Sequence, residues 1–593
     1  MQNRKHDGNS GSEPAESNEH LKRRGFLGSL GVLGAAAVVP GSGLFGSQSS
    51  DVPDDDFDPL EVTARDVVKK YRTGQLTVQE VVVRYLERIE EFEDELNAII
   101  RINPHVLDRA GELDAALEAG EDVGPLHGVP IILKDNHDTA DIPTTAGSVS
   151  MAESNPTDDA TIVSEIRDAG GLVLAKANLS EFAFSYETIS SFGGTTTNPY
   201  DTERHAGGSS GGSAAAMAAN LGVLSTGSDT GGSVRVPSAA CSLVGLRPST
   251  GLISRDGIIP LALTEDTSGP MTRTVADTAM LLDVVVGYDS ADPETSESIG
   301  ETPHADGRSY TDYLRLDGLE SARIGVYRDW VGPTEEEKEE SDSDIVADAN
   351  AVADVFDDAL TELEEAGATV VDPVDAPSWD FVYSANVSSG DEFNRDINSY
   401  LSEVEDSDAP ENLAEIVESG EYSPAISYIK EREEVDEDAV NENVEYLQTL
   451  SRRDDLQQSV LSTFAENDLD AIVYPATRHT APHIDSDEPW GSNAQLTPAL
   501  EFPSMTVPAG FTDESEMPVG IEFAVPEFEE ERLIELGYAY EQQSQARRLP
   551  DSFGRLESSP DEWTSDKIES WNESQHKRQT AESQSEETTQ SDD

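Results

Sequence analysis

The chain has 593 residues and sets 39 Lys and Arg against 119 Asp and Glu, a net charge of −80. Self-repulsion on that scale strains a compact fold at low ionic strength; at about 1 M salt the Debye length falls to roughly 3 Å and exposed carboxylates are screened. The composition therefore reads as halophilic. It excludes a nucleic-acid binder, because nothing forms a basic stripe, and the apolar periodicity from about Val62 to Glu541 excludes a wholly disordered acidic chain.

Residues 1–45 contain LKRRGFLGSLGVLGAAAVVPGSG, in which Arg23 and Arg24 precede an apolar run, Phe26 to Val39, too short to span a bilayer. This resembles a twin-arginine secretion signal and implies export by that machinery to an extracellular or envelope-associated site, with a cytoplasmic location as the alternative. Residues 46–60, around DVPDDDFDP, read as an acidic linker. The remainder, 61–555, reads as one folded domain.

Within it, VTARDVVKKY and LTVQEVVVRYLERIEEFEDEL carry helical apolar spacing, with Thr63 and Thr77 as N-caps. LNAIIRI, PIILKD and LVLAKA predict short buried strands, and DATIVSEIRDAGG a helix between the last two. Further on, ARIGVYRD, TVVDP, DAIVYPA, PSMTVPAGF and PVGIEFAVP predict strands, while DIVADANAVADVFDDALTELEEAGA and ERLIELGYAYEQQ predict helices. This alternation points to an α/β layered domain. ADPETSESIGETPHADG and TEEEKEESDSD read as acidic surface loops, Ser388 to Asp468 as a mostly helical cap, and 556–593 as a disordered acidic tail.

The chemistry concentrates in two glycine turns. GGSSGGS (Gly207–Ser213) runs into an Ala-rich helix, which argues against a flexible linker, and no lysine follows to make a P-loop. Glycine pairs around serines let backbone N–H groups crowd a reacting acyl group while a hydroxyl approaches its carbonyl. The second turn, Asp229-Thr230-Gly231-Gly232-Ser233, suits an oxyanion hole ending in a nucleophile. A base is required, and Lys134, at the end of an apolar strand where burial favours the neutral amine, is the candidate.

GPLHGVPIILKDN (124–136), TNPYDTERHAGGSSGGSAAAMAA (197–219) and GSDTGGSVRVPSAACSLVGLRPS (227–249) together resemble the amidase signature family. The resemblance implies an amidase-signature fold over 61–555, with a mixed β-sheet core flanked by helices and a helical cap. It implies Ser233 as acylated nucleophile, Ser209 as a proton relay held by a cis peptide, and Lys134 as neutral base. The backbone amides of Thr230, Gly231, Gly232 and Ser233 would hold the oxyanion. Ser210 is expected to hydrogen-bond within the site, and Asp229 and Arg235 to brace the turn. Ala206 departs from the proline many relatives carry and removes no chemical group.

No organic cofactor or metal is implied. His127 and His137 lie too far apart for a common zinc pattern, and Pro482 interrupts the His479/His483 pair. Cys241, the single cysteine, sits in VPSAACSLVG and reads as a buried core thiol. The expected activity is hydrolysis of a small-molecule carboxylic amide to carboxylate plus ammonia or amine. The alternative is the glutaminase component of a tRNA-dependent (Asp/Glu-tRNA) amidotransferase, and a third possibility is a silent binding protein on the same scaffold. EFNRDINSYL (392–401) resembles a stretch of a stand-alone amidase branch and favours the hydrolase. Oligomeric state is not readable from the chain.

Overall fold

The computed structural model describes residues 57–577, apart from 122–123, 341–342, 388, 405–408, 436–439, 441, 557–562 and 576. The signal segment and most of the acidic linker lie outside the described residues. Eleven strands form one sheet: β1 (Ile99–Ile102), β2 (Pro130–Lys134), β3 (Leu172–Ala177), β4 (Leu224–Asp229), β5 (Val244–Arg247), β6 (Thr267–Thr272), β7 (Arg323–Val326), β8 (Thr369–Val371), β9 (Ala471–Pro475), β10 (Ser504–Phe511) and β11 (Pro518–Ala524). Their spatial order is β1-β3-β2-β4-β6-β5-β10-β11-β9-β7-β8. Parallel pairs (β2–β3, β2–β4, β7–β8, β7–β9) mix with antiparallel ones, so the sheet is mixed, as the resemblance implied. β2, β3 and β4 are buried along their whole length, which is why they read as apolar or small rather than alternating.

Helices cover the sheet. In the first half are α1 (Ala64–Arg72), α2 (Val78–Leu96), α3 (Val106–Glu118), α4 (Thr161–Asp168), α5 (Gly211–Ala218), α6 (Arg235–Ala240) and α7 (Val275–Val285). Thr63 caps α1 by accepting from the Asp66 N–H, and Thr77 with Glu80 forms a capping box on α2. Then come α8 (Glu335–Glu340), α9 (Ser343–Glu365), α10 (Trp379–Ala385), α11 (Ser389–Glu403), α12 (Leu413–Ser419), α13 (Ile429–Glu433), α14 (Val444–Asn467), α15 (Leu496–Leu500) and α16 (Glu530–Ser544). The segment expected as a cap is helical: Phe393, Ile397 and Leu401 of α11, with Leu413, Ile416 and Ile429, pack on Met151, Phe182, Ile259 and Leu261 of the body.

Two expectations change. TEEEKEESDSD contains α8 instead of a plain loop, because the Thr334 N–H donates to Glu337 Oε2 at 2.6 Å and the Glu337 N–H to Thr334 Oγ1 at 3.2 Å, a capping box. The segment read as a disordered tail holds a further helix, α17 (565–575). Trp563 and Ile568 are buried in the main apolar cluster, and Asn572 exchanges two 2.9 Å bonds with the main chain of Ile102. A few apolar anchors among many charges suffice when edge strand β1 offers unpaired backbone groups to a side-chain amide.

Candidate active site

Lys134 closes β2, all five residues of which are buried. The parallel pairing of β2 with β4 brings that strand end beside Ser228 and Asp229. Lys134 Nζ lies 2.7 Å from Ser209 Oγ and 2.9 Å from Ser228 Oγ, and Asn136 Nδ2 donates to Ser228 Oγ at 3.0 Å. Burial pulls the lysine down from its ordinary 10.5 to about 7, against the opposing pull of the Asp229 and Asp266 carboxylates. The amine is thus poised between neutral and charged near neutrality.

Ser209 stands at the mouth of α5, and a cis peptide joins it to Gly208. Ser210 stitches the two glycine turns together: its N–H donates to the Ser233 carbonyl at 3.2 Å and its hydroxyl to the Ser228 carbonyl at 3.2 Å. Lys134 and Ser209 are 0 % exposed, whereas Ser233 keeps 6 %.

The turn after β4 is held from three sides. Asp229 accepts from the Gly232 N–H at 2.8 Å and the Val234 N–H at 3.0 Å, while Arg235 and Arg247 converge on its carboxylate. Burial opposes that charge, yet the two guanidiniums hold the Asp229 carboxyl well below the usual carboxylate range. The Gly231 carbonyl accepts from the Tyr186 hydroxyl and from Gln495 Nε2 at 3.1 Å, and the Thr230 hydroxyl donates to Asp266. Among the described residues no group accepts from the N–H of Thr230, Gly231 or Ser233. Gly232 departs from the expected set of oxyanion donors, since its N–H is committed to Asp229. The turn offers three amides, not four.

Asp229 and Arg235 form an internal brace, and Cys241 is buried, its Sγ donating to the Ala206 carbonyl at 3.4 Å. His137 lies 2.8 Å from Ser268 Oγ; burial, then the Lys134 and Lys176 charges, push it down to about 3, so it stays neutral. His479 sits between Glu337 (3.0 Å) and Asp348 (3.4 Å), and His127 is buried. Among the described residues no three acidic, His or Cys side chains group as metal ligands. Sequence reasoning missed Ser228, Asn136, Asp266, Tyr186 and Gln495. Ser228 and Asn136 lie inside quoted motifs; Tyr186, Asp266 and Gln495 leave no local signal.

Residues 80–534 match the family model described as Amidase. The chain belongs to the amidase family. As a member it is a hydrolase acting on carbon–nitrogen amide bonds. It is 33% identical to the chloroplastic/mitochondrial A-subunit of glutamyl-tRNA(Gln) amidotransferase from Vitis vinifera, covering 83% of this chain and 89% of that relative. It is 32% identical to a probable amidase of Arabidopsis thaliana, over 83% of this chain and 92% of the other. Among solved structures, the native peptide amidase of Stenotrophomonas maltophilia superposes with a TM-score of 0.71 at 35% identity, covering 83% of this amidase and 98% of that chain.

Proposed function

We propose that this amidase hydrolyses a small carboxylic amide through an acyl-enzyme on Ser233. The observation that carries the reading is the 2.7 Å approach of a buried, near-neutral Lys134 to Ser209. Neutral Lys134 takes the Ser209 proton as Ser209 takes that of Ser233, and the Ser233 oxygen forms a bond to the amide carbon. The developing oxyanion is met by the free amides of Thr230, Gly231 and Ser233. Lys134, now an ammonium, returns its proton through Ser209 to the leaving nitrogen, the C–N bond breaks, and ammonia or amine departs. Water then attacks the ester carbon as its proton passes through Ser209 to Lys134; the bond from that carbon to the Ser233 oxygen breaks, Lys134 returns the proton through Ser209 to Ser233, and the acid leaves and ionises to the carboxylate.

The test is ammonia or amine release from aliphatic, aromatic and amino-acid amides in molar salt, by wild type beside Ser233→Ala. Turnover by wild type alone supports the reading; turnover retained in Ser233→Ala removes the nucleophile. A second reading, the glutaminase component of a tRNA-dependent amidotransferase, is favoured by the Vitis vinifera relative's name. It predicts turnover of glutamine alone, rising when partner subunits are added. The similarity to the peptide amidase and EFNRDINSYL favour the stand-alone enzyme.

We further propose twin-arginine export and function in molar salt, supported by Arg23, Arg24, the apolar run after them and the charge of −80. Replacing both arginines by lysine should keep the protein inside the cell; unchanged secretion would remove the signal.

A further inference from the structure

LALTED (Leu261–Asp266) looks like an ordinary loop leading into β6, yet four consecutive N–H groups in it end on carboxylates. Leu261 and Ala262 donate to Asp266 Oδ2 at 2.8 and 3.1 Å. Leu263 donates to Asp396 Oδ2 at 2.9 Å, and Thr264 to Glu392 Oε2 at 3.1 Å, with the Thr264 hydroxyl on Glu392 Oε1 at 2.6 Å. Glu392 and Asp396 are four residues apart on α11 and so share one face of it. Phe393 and Ile397 of the same helix bury themselves against Ile259 and Leu261. The EFNRDINSYL stretch thus grips this loop, alongside the Val387 N–H and Arg453 of α14, which reach Glu265 at 2.7 and 2.8 Å.

The loop in turn grips the catalytic turn. Asp266 Oδ1 accepts the Thr230 hydroxyl, while Oδ2 is filled by the two loop amides, so both oxygens are used and all three partners donate. Only a carboxylate satisfies that set: an asparagine presents one acceptor oxygen and one NH₂, and must face either the loop amides or Thr230 with a donor. We propose that Asp266 is a positioning residue that transmits the seating of α11 to the oxyanion turn, so that the cap helix helps set kcat. This rests on reading 229–233 as the oxyanion turn.

Asp266 carries a second consequence. The groups facing it are Thr230, the loop amides, Asp396 of α11, Lys134, and Arg255, which is itself forked onto Asp292 at 2.6 and 2.8 Å. Its negative charge raises the proton affinity of Lys134, alongside that of Asp229. Removing it lowers that affinity, so the limb of the pH–rate profile that rises as Lys134 loses its proton moves to lower pH.

The experiment compares full-length wild type, Asp266→Asn, Asp396→Asn, their double variant and Ser233→Ala in molar salt, with thermal unfolding of each. The expected result is a kcat lower by about tenfold or more in each single variant with KM within about threefold. A shifted acid limb in Asp266→Asn and a double-variant loss smaller than the product of the singles complete it. Wild-type kcat in folded Asp266→Asn, or fully multiplicative losses, overturns the inference. If Asp266→Asn does not fold, Thr230→Val decides: kcat must fall, and Thr230→Ser must recover most of the loss. Turnover by Ser233→Ala would instead overturn the proposed function, so the two failures are told apart.

Discussion

Arg235 forks onto Asp229, Nε to Oδ2 at 3.1 Å and Nη2 to Oδ1 at 3.0 Å, with both side chains sealed from solvent. The same guanidinium reaches Glu522 Oε1 on β11 at 2.6 Å, so one residue ties the catalytic turn to a strand on the other side of the sheet centre. Cutting a buried pair strands a charge, which costs about 3–5 kcal/mol. Arg235→Met should therefore lower the unfolding free energy by that amount, read as a lower denaturant midpoint with an unchanged slope. An unaltered midpoint would show that Arg247 alone suffices for Asp229.

Lys134 should be required for activity and costly to the fold. In the unfolded chain its amine keeps the ordinary 10.5, while in the fold it is held near 7. Between those values the unfolded state binds the extra proton, so folding stability rises with pH from about 7 to 10.5. Lys134→Met should be inactive, at least as stable as wild type at pH 7, and should lose that part of the pH dependence. Wild-type turnover should climb with pH through about 7 as the amine becomes neutral; a rate independent of pH there would point to another base.

Gly212 explains why GGSSGGS tolerates no bulk. A Cβ at that position would sit 2.3 Å from the Asn178 carbonyl oxygen and 2.6 Å from that of Ala98, neither of which can move freely. Gly212→Ala should destabilise by about 1–3 kcal/mol and reduce kcat by displacing Ser209, two residues before α5. Wild-type stability in thermal unfolding would refute the close approach.

Ile568 tests the C-terminal helix. It is 0 % exposed in the main core cluster, so Ile568→Ala should cost about 2–5 kcal/mol. Truncation before residue 563 should cost more. A truncation without effect on stability would return the segment to a passive tail.

Salt should act on the whole molecule. With a net charge of −80, the unfolding temperature should rise steeply between dilute buffer and about 1 M salt, where exposed carboxylates are screened. Equal cooperativity in dilute buffer would contradict the halophilic reading.

Much of this architecture was legible in the chain. β1, β2 and β3 fall inside LNAIIRI, PIILKD and LVLAKA, and both threonine caps are where the periodicity begins. The sheet's centre was not legible. β4, β5 and β6 are written LSTGSD, VGLR and TSGPMT, compositions that suggest turns. Close packing overrules strand propensity there: a Cβ on Gly269 would lie 2.0 Å from the Leu246 carbonyl oxygen. Lys134, Ser209 and Ser233, the proposed catalytic groups, each sit in a local motif. Gln495, which meets the Gly231 carbonyl across 264 positions of sequence, and Asp266, whose partners lie on a turn and a cap helix, are defined only by tertiary contact.

The parallel ladder between β2 and β4 has a consequence for how activity arises. Lys134 and Ser228 are 94 residues apart in the chain, and they meet because Ile131 and Ile132 align with Leu224 and Ser225. Such long-range pairing forms slowly relative to local helices. A chain that has collapsed and gained its helices, but not closed that ladder, holds every catalytic group and no catalyst. Recovery of turnover after dilution from denaturant should therefore lag recovery of helical circular dichroism, making the enzyme its own reporter of when the sheet is complete.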